Sequence, residues 1–219
     1  MTGQLNLVVL GKQGAGKGTQ SQGLCERYGL AHISTGDILR AAVAAGTPLG
    51  LEVKSILDSG QLVSDDLVNK LVEDRLKEPD AERGAVLDGF PRNTGQAQAL
   101  ERLLGPGGIK LCIYVDVDNE LVMQRLSSRR VCQECGTIYK DTDPAAISGT
   151  CEVCGGDVIQ RSDDKPEVIA ERLATFERDT FPLLSFYESR ELLVKVNGDQ
   201  AVDKVAADID ELLRGRGLA

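Results

Sequence analysis

Residues 5–20, LNLVVLGKQGAGKGTQ, join an apolar run to a glycine-rich turn and then to residues able to open a helix. The glycines let the backbone double back, so that successive N–H groups point into one hollow while Lys17 adds a full positive charge beside it. A helix starting near Lys17 contributes about half an elementary charge of positive dipole at the same place. A polyphosphate is the natural occupant. A corner that is merely glycine-rich is the bland alternative, and it leaves unexplained four glycines and a Lys-Gly-Thr ending, GKQGAGKGT, directly after LNLVVL.

The spacing departs from the general phosphate-loop pattern by one place. Gly11, Gly16 and Lys17 are spaced as expected, but Gly18 follows and the hydroxyl comes only at Thr19. One step along a helix turns a side chain by about 100°, so Thr19 is not assigned the magnesium-holding part that a hydroxyl plays in GTPases. An acid from elsewhere in the chain is expected there.

A chain of 219 residues with 42% hydrophobic content can bury a sizeable core, and with no tryptophan that core is mostly aliphatic. The net charge of −9 argues against a long nucleic-acid backbone as partner. No stretch approaches the ~20 apolar residues of a membrane span, and the apolar run before the loop is too short for a signal-peptide core. A soluble, cytoplasmic monomer is expected. Four of the six cysteines fall in two pairs while Cys25 and Cys112 stand alone, which favours reduced thiols and a metal over a disulfide framework.

Along the chain, 19–28 reads as a helix ending at Gly29 and 30–33 as a short buried strand. Ser34, Thr35 and Asp37 then cap a helix that carries Arg40. Arg40 is either a solvated charge or an arm reaching back to an anion. Helices are expected at 50–59 and 66–77, and a strand at 85–87 with Asp88 at its carboxyl end. Ligands of open parallel sheets sit outside those ends, so Asp88 is placed for magnesium or its waters rather than only as a turn cap. Arg92 follows the stiff Phe90-Pro91, and Gln96 lies one helical turn farther on. After a strand at 110–117, a helix over 120–130 would stack Arg125 and Arg129 at i and i+4, an arrangement that favours an anion between them. A helix over 166–176 carries Arg172 after Arg161 and the pair Asp163-Asp164, which also reads as caps and surface charge. A strand at 192–196 and an amphipathic helix at 202–213 close the chain.

Cys132 and Cys135, then Cys151 and Cys154, form C-x2-C, fifteen residues, C-x2-C. Each pair presents two thiolates from one tight turn, and together they make a four-sulfur cage with no open coordination position, hence a structural zinc site. A zinc-ribbon nucleic-acid module is the functional rival, but no basic-aromatic surface flanks it.

Taken jointly, GKQGAGKGT, STGDILRAA, LDGFPRN with Gln96, the Arg125/Arg129 pair, the four-cysteine insertion and RSDD leading to Arg172 resemble the adenylate kinases of the long, zinc-bearing bacterial type. The resemblance runs from about residue 5 to 205. It implies an α/β P-loop nucleoside monophosphate kinase fold, a five-stranded parallel sheet flanked by helices. Residues 1–33, 64–127 and 165–219 would form the core, 34–63 an AMP-binding insertion and 128–164 a zinc-bearing lid. It implies that Gly14, Ala15, Gly16, Lys17, Gly18 and Thr19 hold the ATP phosphates, with Ile138 and Tyr139 near the ATP base and Gln200 also in the ATP site. An AMP site is implied at Thr35, Arg40, Gln61, Leu62, Val63, Gly89, Phe90, Pro91, Arg92 and Gln96, with Arg161 and Arg172. Arg125, Arg129, Arg161 and Arg172 would close over the phosphates, Asp88 would meet Mg2+ through water, and Asp163 and Asp164 would help the lid close. The implied reaction is transfer between ATP and AMP to give ADP. Lys12-Gln13, Asn93 and Ser162 depart from the commonest pattern. A kinase for UMP, CMP or GMP is the rival within the class, and an ATPase switch or a zinc-dependent nucleic-acid binder outside it.

Overall fold

The structure, a computed structural model, describes residues 4–219. Strand β1 (Asn6–Leu10) is buried along its whole length and occupies the centre of a parallel sheet. Such a strand, covered on both faces, reads as an unbroken apolar run rather than an alternating one. The chain continues as α1 (Lys17–Tyr28), β2 (Ala31–Ser34), α2 (Thr35–Ala44), α3 (Pro48–Asp58), α4 (Asp65–Leu76), β3 (Ala85–Asp88), α5 (Thr94–Leu104), β4 (Ile109–Asp116) and α6 (Asn119–Ser128). An insertion follows, made of β5 (Arg129–Cys132), β6 (Ile138–Lys140), α7 (Pro144–Ser148) and β7 (Val158–Ile159). After it come α8 (Pro166–Thr175), α9 (Leu183–Glu188), β8 (Leu193–Asn197) and α10 (Val202–Gly215).

The large sheet has the order β2-β3-β1-β4-β8, with every neighbouring pair parallel. Leu7 of β1 lies opposite Val86 of β3 and Leu111 of β4, a register that lines up the carboxyl ends of the three strands. One face packs Leu24, Val122, Leu126, Ile169, Val205 and Ile209 from α1, α6, α8 and α10. The other packs Leu39, Val53, Val72, Leu100, Leu183 and Tyr187 from α2, α3, α4, α5 and α9. The expected five-stranded parallel sheet flanked by helices is what the chain forms.

One local reading is corrected. The helix expected over 120–130 stops at Ser128, because Arg129 pairs with Lys140 as the first residue of a small antiparallel sheet, β6-β5-β7. Arg125 and Arg129 therefore do not stack on one helical face. Helix α8 ends at Thr175, one residue from the expected end, and passes into a π-helical turn (Phe176–Thr180) and α9, for which the sequence offered no reading.

Candidate active site

Residues 11–16 carry the chain from β1 into α1. A Cβ on Gly11 would lie 2.6 Å from the Val115 carbonyl oxygen, so bare backbone must run against β4. At Gly14, with φ of 81°, a Cβ would approach Leu126 Cγ to 2.9 Å. The loop is thus pressed onto β4 and α6 by packing that only glycine permits. No side chain caps the start of α1 and no acid sits in its first turn, which leaves its N-terminal N–H groups for an external anion. Ala15 is buried and Thr19 is exposed.

Lys17 folds back over the loop, its Nζ donating to the carbonyls of Gly11 and Lys12 at 2.8 Å each. Burial lowers its pKa from 10.5 to about 8; Asp88 opposes the shift, while Arg92, Arg172 and Arg129 add to it. Asp88 ends β3 almost buried, with one carboxylate oxygen 3.5 Å from where a Cβ on Gly18 would lie. A lone carboxylate beside a phosphate-binding loop suits a magnesium ion, which takes most of its ligands from water and phosphate.

Next to the loop, Thr35, Leu39, Leu57, Gln61, Leu62, Val63, Val68, Arg92 and Gln96 line a narrow cleft. Six of these nine were expected from the sequence; Leu39, Leu57 and Val68 are the apolar walls it did not single out. Thr35 Oγ1 donates to the Gly89 carbonyl at 2.9 Å, and Arg92 Nε donates to the same oxygen at 2.8 Å. The Phe90–Pro91 peptide is cis, and Phe90 is buried. Burial lowers the Arg92 pKa, while Asp88 and Asp163 counter it and Arg161 reinforces it. Arg40 hydrogen-bonds Asp37 one turn earlier, and burial followed by the charge of Arg161 lowers its pKa.

From the opposite side come the remaining arginines. Arg129 grips Asp164 with Nε and Nη2 at 2.8 and 2.6 Å, and Arg172 Nη1 reaches the same carboxylate at 3.1 Å. Arg161 makes two bonds to Asp163, at 3.0 and 3.1 Å, and Arg172 Nη1 lies 3.2 Å from that carboxylate. Burial would raise the Asp163 carboxyl, but Arg161 and Arg172 outweigh it and hold the group at about 2. Arg172 is lowered to about 10, by burial first, with Asp163 opposing. Two acids thus hold three arginines in place. Arg125 turns elsewhere, its Nη2 donating to the Gly198 carbonyl at 3.0 Å.

In the insertion, the four sulfurs of Cys132, Cys135, Cys151 and Cys154 all lie within 4.8 Å of one another, with Cys132–Cys154 at 3.4 Å and Cys135–Cys151 at 3.6 Å. A tetrahedral zinc with Zn–S of 2.3 Å needs sulfur separations of about 3.8 Å, so the cage fits that ion. Tyr139, expected toward the ATP base, is buried inside the insertion, its hydroxyl 3.2 Å from Cys151 Sγ. Ile138 is exposed. Gln200 spends its amide on the Asn197 carbonyl at 2.8 Å and on Asp208 at 2.9 Å.

Three positioning contacts escaped the sequence reading. Asp65 accepts from both Gln96 Nε2 and Asn93 Nδ2, at 2.7 and 2.9 Å. Thr180 Oγ1, in the π-helical turn, holds the Arg92 carbonyl at 2.8 Å. Ser162 Oγ donates to Asp58 at 2.7 Å, joining the end of α3 to the segment before α8. Asp65 carried only the signal of a helix-capping pair with Ser64, and Thr180 carried none. A wider groove at the far end of the sheet, lined by residues 105–109 with Gln98 and Arg190, contains none of the motif residues.

The adenylate kinase family profile matches residues 9–192. An adenylate kinase of Geobacillus sp. is 47% identical over 214 residues, covering 96% of this chain and 99% of the relative. An adenylate kinase of Lactobacillus johnsonii is 49% identical over 215 residues, covering 95% and 98%, and that of Bacillus subtilis is 46% identical over 214 residues, covering 96% and 99%. With a glycine loop at the central strand, a cleft bordered by Arg92 and Gln96 beside it and near-complete coverage by these relatives, the chain belongs to the adenylate kinase family.

Proposed function

We propose that this chain catalyses the reversible, magnesium-dependent transfer of the terminal phosphoryl group of ATP to AMP, giving two molecules of ADP. The observation that carries this reading is the convergence of Lys17, Arg92, Arg129 and Arg172 where the phosphate loop meets the Thr35–Gln96 cleft, close enough for each to act on the charge of Lys17 or of its neighbours. An AMP phosphate is already an oxyanion near neutral pH, so no base is required to strip a proton from it. The obstacle is repulsion. ATP brings a charge of about −4 and AMP about −2, and one magnesium returns +2, which leaves about −4 to crowd into bonding distance.

In this reading, an AMP phosphate oxygen bonds to the γ-phosphorus of ATP as the bond to the β,γ-bridging oxygen breaks, and ADP leaves. Lys17 and the backbone of residues 14–19 orient the donor phosphates. Arg40 and Arg92 orient the acceptor phosphate, Arg129, Arg161 and Arg172 offset charge between them, and Arg125 joins them on leaving the Gly198 carbonyl. Asp163 and Asp164 give up these arginines in part to phosphate. Asp88, at the end of β3 beside the loop, would hold Mg2+, which when bound would neutralise part of the donor phosphate charge.

We further assign residues 34–63 to acceptor binding and 128–164 to a lid stapled by zinc at the four cysteines. The insertion buries only a small cluster around Cys132, Tyr139, Ala145, Cys151 and Val158, too little to fold on its own without a metal. No helix among the described residues is long and apolar enough to cross a membrane. No disulfide joins any of the six cysteines, in keeping with a reducing cytoplasm, and a monomer supplies every residue of the site. The test is to incubate ADP with magnesium and the protein. ATP and AMP in equal amounts support the reading; release of inorganic phosphate instead identifies a hydrolase.

A further inference from the structure

The geometry points to Asp65 as the residue that makes the acceptor site choose a 6-amino purine over a 6-oxo purine, by fixing which way round the Gln96 amide sits. This inference rests on the acceptor-site reading given above.

Gln96 is 1% exposed, so its amide is held by protein on the sides away from the cleft. Its Oε1 accepts from the Arg92 backbone N–H at 2.7 Å, a group that can only donate. Its Nε2 donates at 2.7 Å to Asp65 Oδ1, a carboxylate oxygen that accepts from Asn93 Nδ2 as well. Rotating the amide by a half-turn would set oxygen against carboxylate and nitrogen against N–H, two like-facing pairs in place of two hydrogen bonds. The orientation is therefore not free. Asn93, which opens α5, braces the carboxylate with its own Nδ2 at 2.9 Å and caps the Gln96 N–H with its Oδ1, also at 2.9 Å. Asp65 is at the start of α4, on the opposite side of the network from α5.

One hydrogen of Nε2 and one lone pair of Oε1 remain, and the residue borders the Thr35–Val63 cleft. The cleft so offers a donor beside an acceptor in a set order. A 6-amino purine presents a donor at position 6 and an acceptor at position 1, whereas a 6-oxo purine presents the same two functions exchanged. Because the sugar fixes how the base enters, an amide locked one way pairs with one of these edges and meets the other with two mismatches. An amide free to turn would accept both. Arg92 alone supplies half of the lock, and Asp65 the other half.

The experiment measures kcat and KM with magnesium-ATP as donor and AMP or IMP as acceptor, IMP differing only at the edge in question. Wild type is compared with Asp65→Ala and Gln96→Leu. In Asp65→Ala the AMP-to-IMP ratio of kcat/KM should fall about 10- to 100-fold, mostly through a higher KM for AMP and a lower KM for IMP. A merely structural loss would lower both acceptors together and leave the ratio alone. Asp65→Asn, whose carbonyl oxygen can still accept from Gln96, should restore most of the ratio. Asp65→Ser, suited to a helix first turn but too short to reach the amide, repeats the test should the alanine variant fail to fold. An unchanged ratio in Asp65→Ala or Asp65→Ser, with a collapsed ratio in Gln96→Leu, overturns this inference and leaves the acceptor site intact. An unchanged ratio in Gln96→Leu overturns the acceptor-site reading itself.

Discussion

Arg129 and Asp164 form a two-pronged ion pair, at 2.6 and 2.8 Å, around a carboxylate with no solvent exposure. Arg172 shares that carboxylate at 3.1 Å. Removing one partner of such a pair leaves uncompensated charge in a desolvated site, which costs about 3–5 kcal/mol. Asp164→Ala should lose stability on that scale in urea unfolding, with Asp164→Asn losing less because it keeps the shape. A loss within about 1 kcal/mol, typical of exposed pairs, would contradict the buried geometry.

Lys17 adds a pH signature. Its folded pKa of about 8 lies below the ordinary 10.5, so between those values the unfolded chain holds a proton the folded chain has released. Stability from this residue therefore rises with pH across that window, and the penalty is full below it. Lys17→Met should be more stable than wild type at pH 7, by roughly 1–3 kcal/mol, and the gap should close toward pH 10.5. Paired urea titrations at pH 7 and pH 10 read this directly. A gap that does not change with pH would show that Lys17 is not desolvated.

The cysteine cage sets a third expectation. Without a metal, the insertion keeps its small β6-β5-β7 sheet and an apolar cluster of little more than Tyr139, Ala145 and Val158 around sulfurs that all lie within 4.8 Å of one another. Stripping the metal with a chelator should lower the calorimetric midpoint by about 5 °C or more, and zinc should restore it. An unchanged midpoint after verified metal loss would remove the metal from the stability of the fold.

Ser162 and Asp58 bridge the two insertions through one neutral-to-charged hydrogen bond of 2.7 Å. Such a bond is worth about 1 kcal/mol net, or about five-fold in a two-state population. Ser162→Ala should shift the chain toward separated insertions by that factor. Energy transfer between dyes placed at the exposed positions Leu51 and Ile147 would report it. Identical transfer in both proteins would mean the contact does not govern closure.

What the sequence made legible was local. The glycine loop, Asp88 at a strand end and the paired cysteines each announce themselves within a few residues, through spacing that only one backbone geometry satisfies. The parallel sheet followed from apolar runs such as 110–117, since a strand covered on both faces has no reason to alternate. What stayed hidden was the partner of each charged group. Asp65 meets Gln96 across 31 positions, Arg129 meets Asp164 across 35 and Ser162 meets Asp58 across 104, separations over which periodicity carries no information. The same limit explains the misplaced end of α6. An i, i+4 arginine pair is a helical pattern, and nothing local reveals that Arg129 will bond across a sheet to Lys140 instead.

The central claim is that gathered cations let two polyanionic nucleotides react in one site. The most direct test is the rate at which ADP is converted to ATP and AMP by Lys17→Met and Arg92→Met, each shown to be folded. The account predicts a fall of about 10²-fold or more in each, as for removal of one charge-stabilising group in a transfer site. Conversion at the wild-type rate in either variant would contradict it.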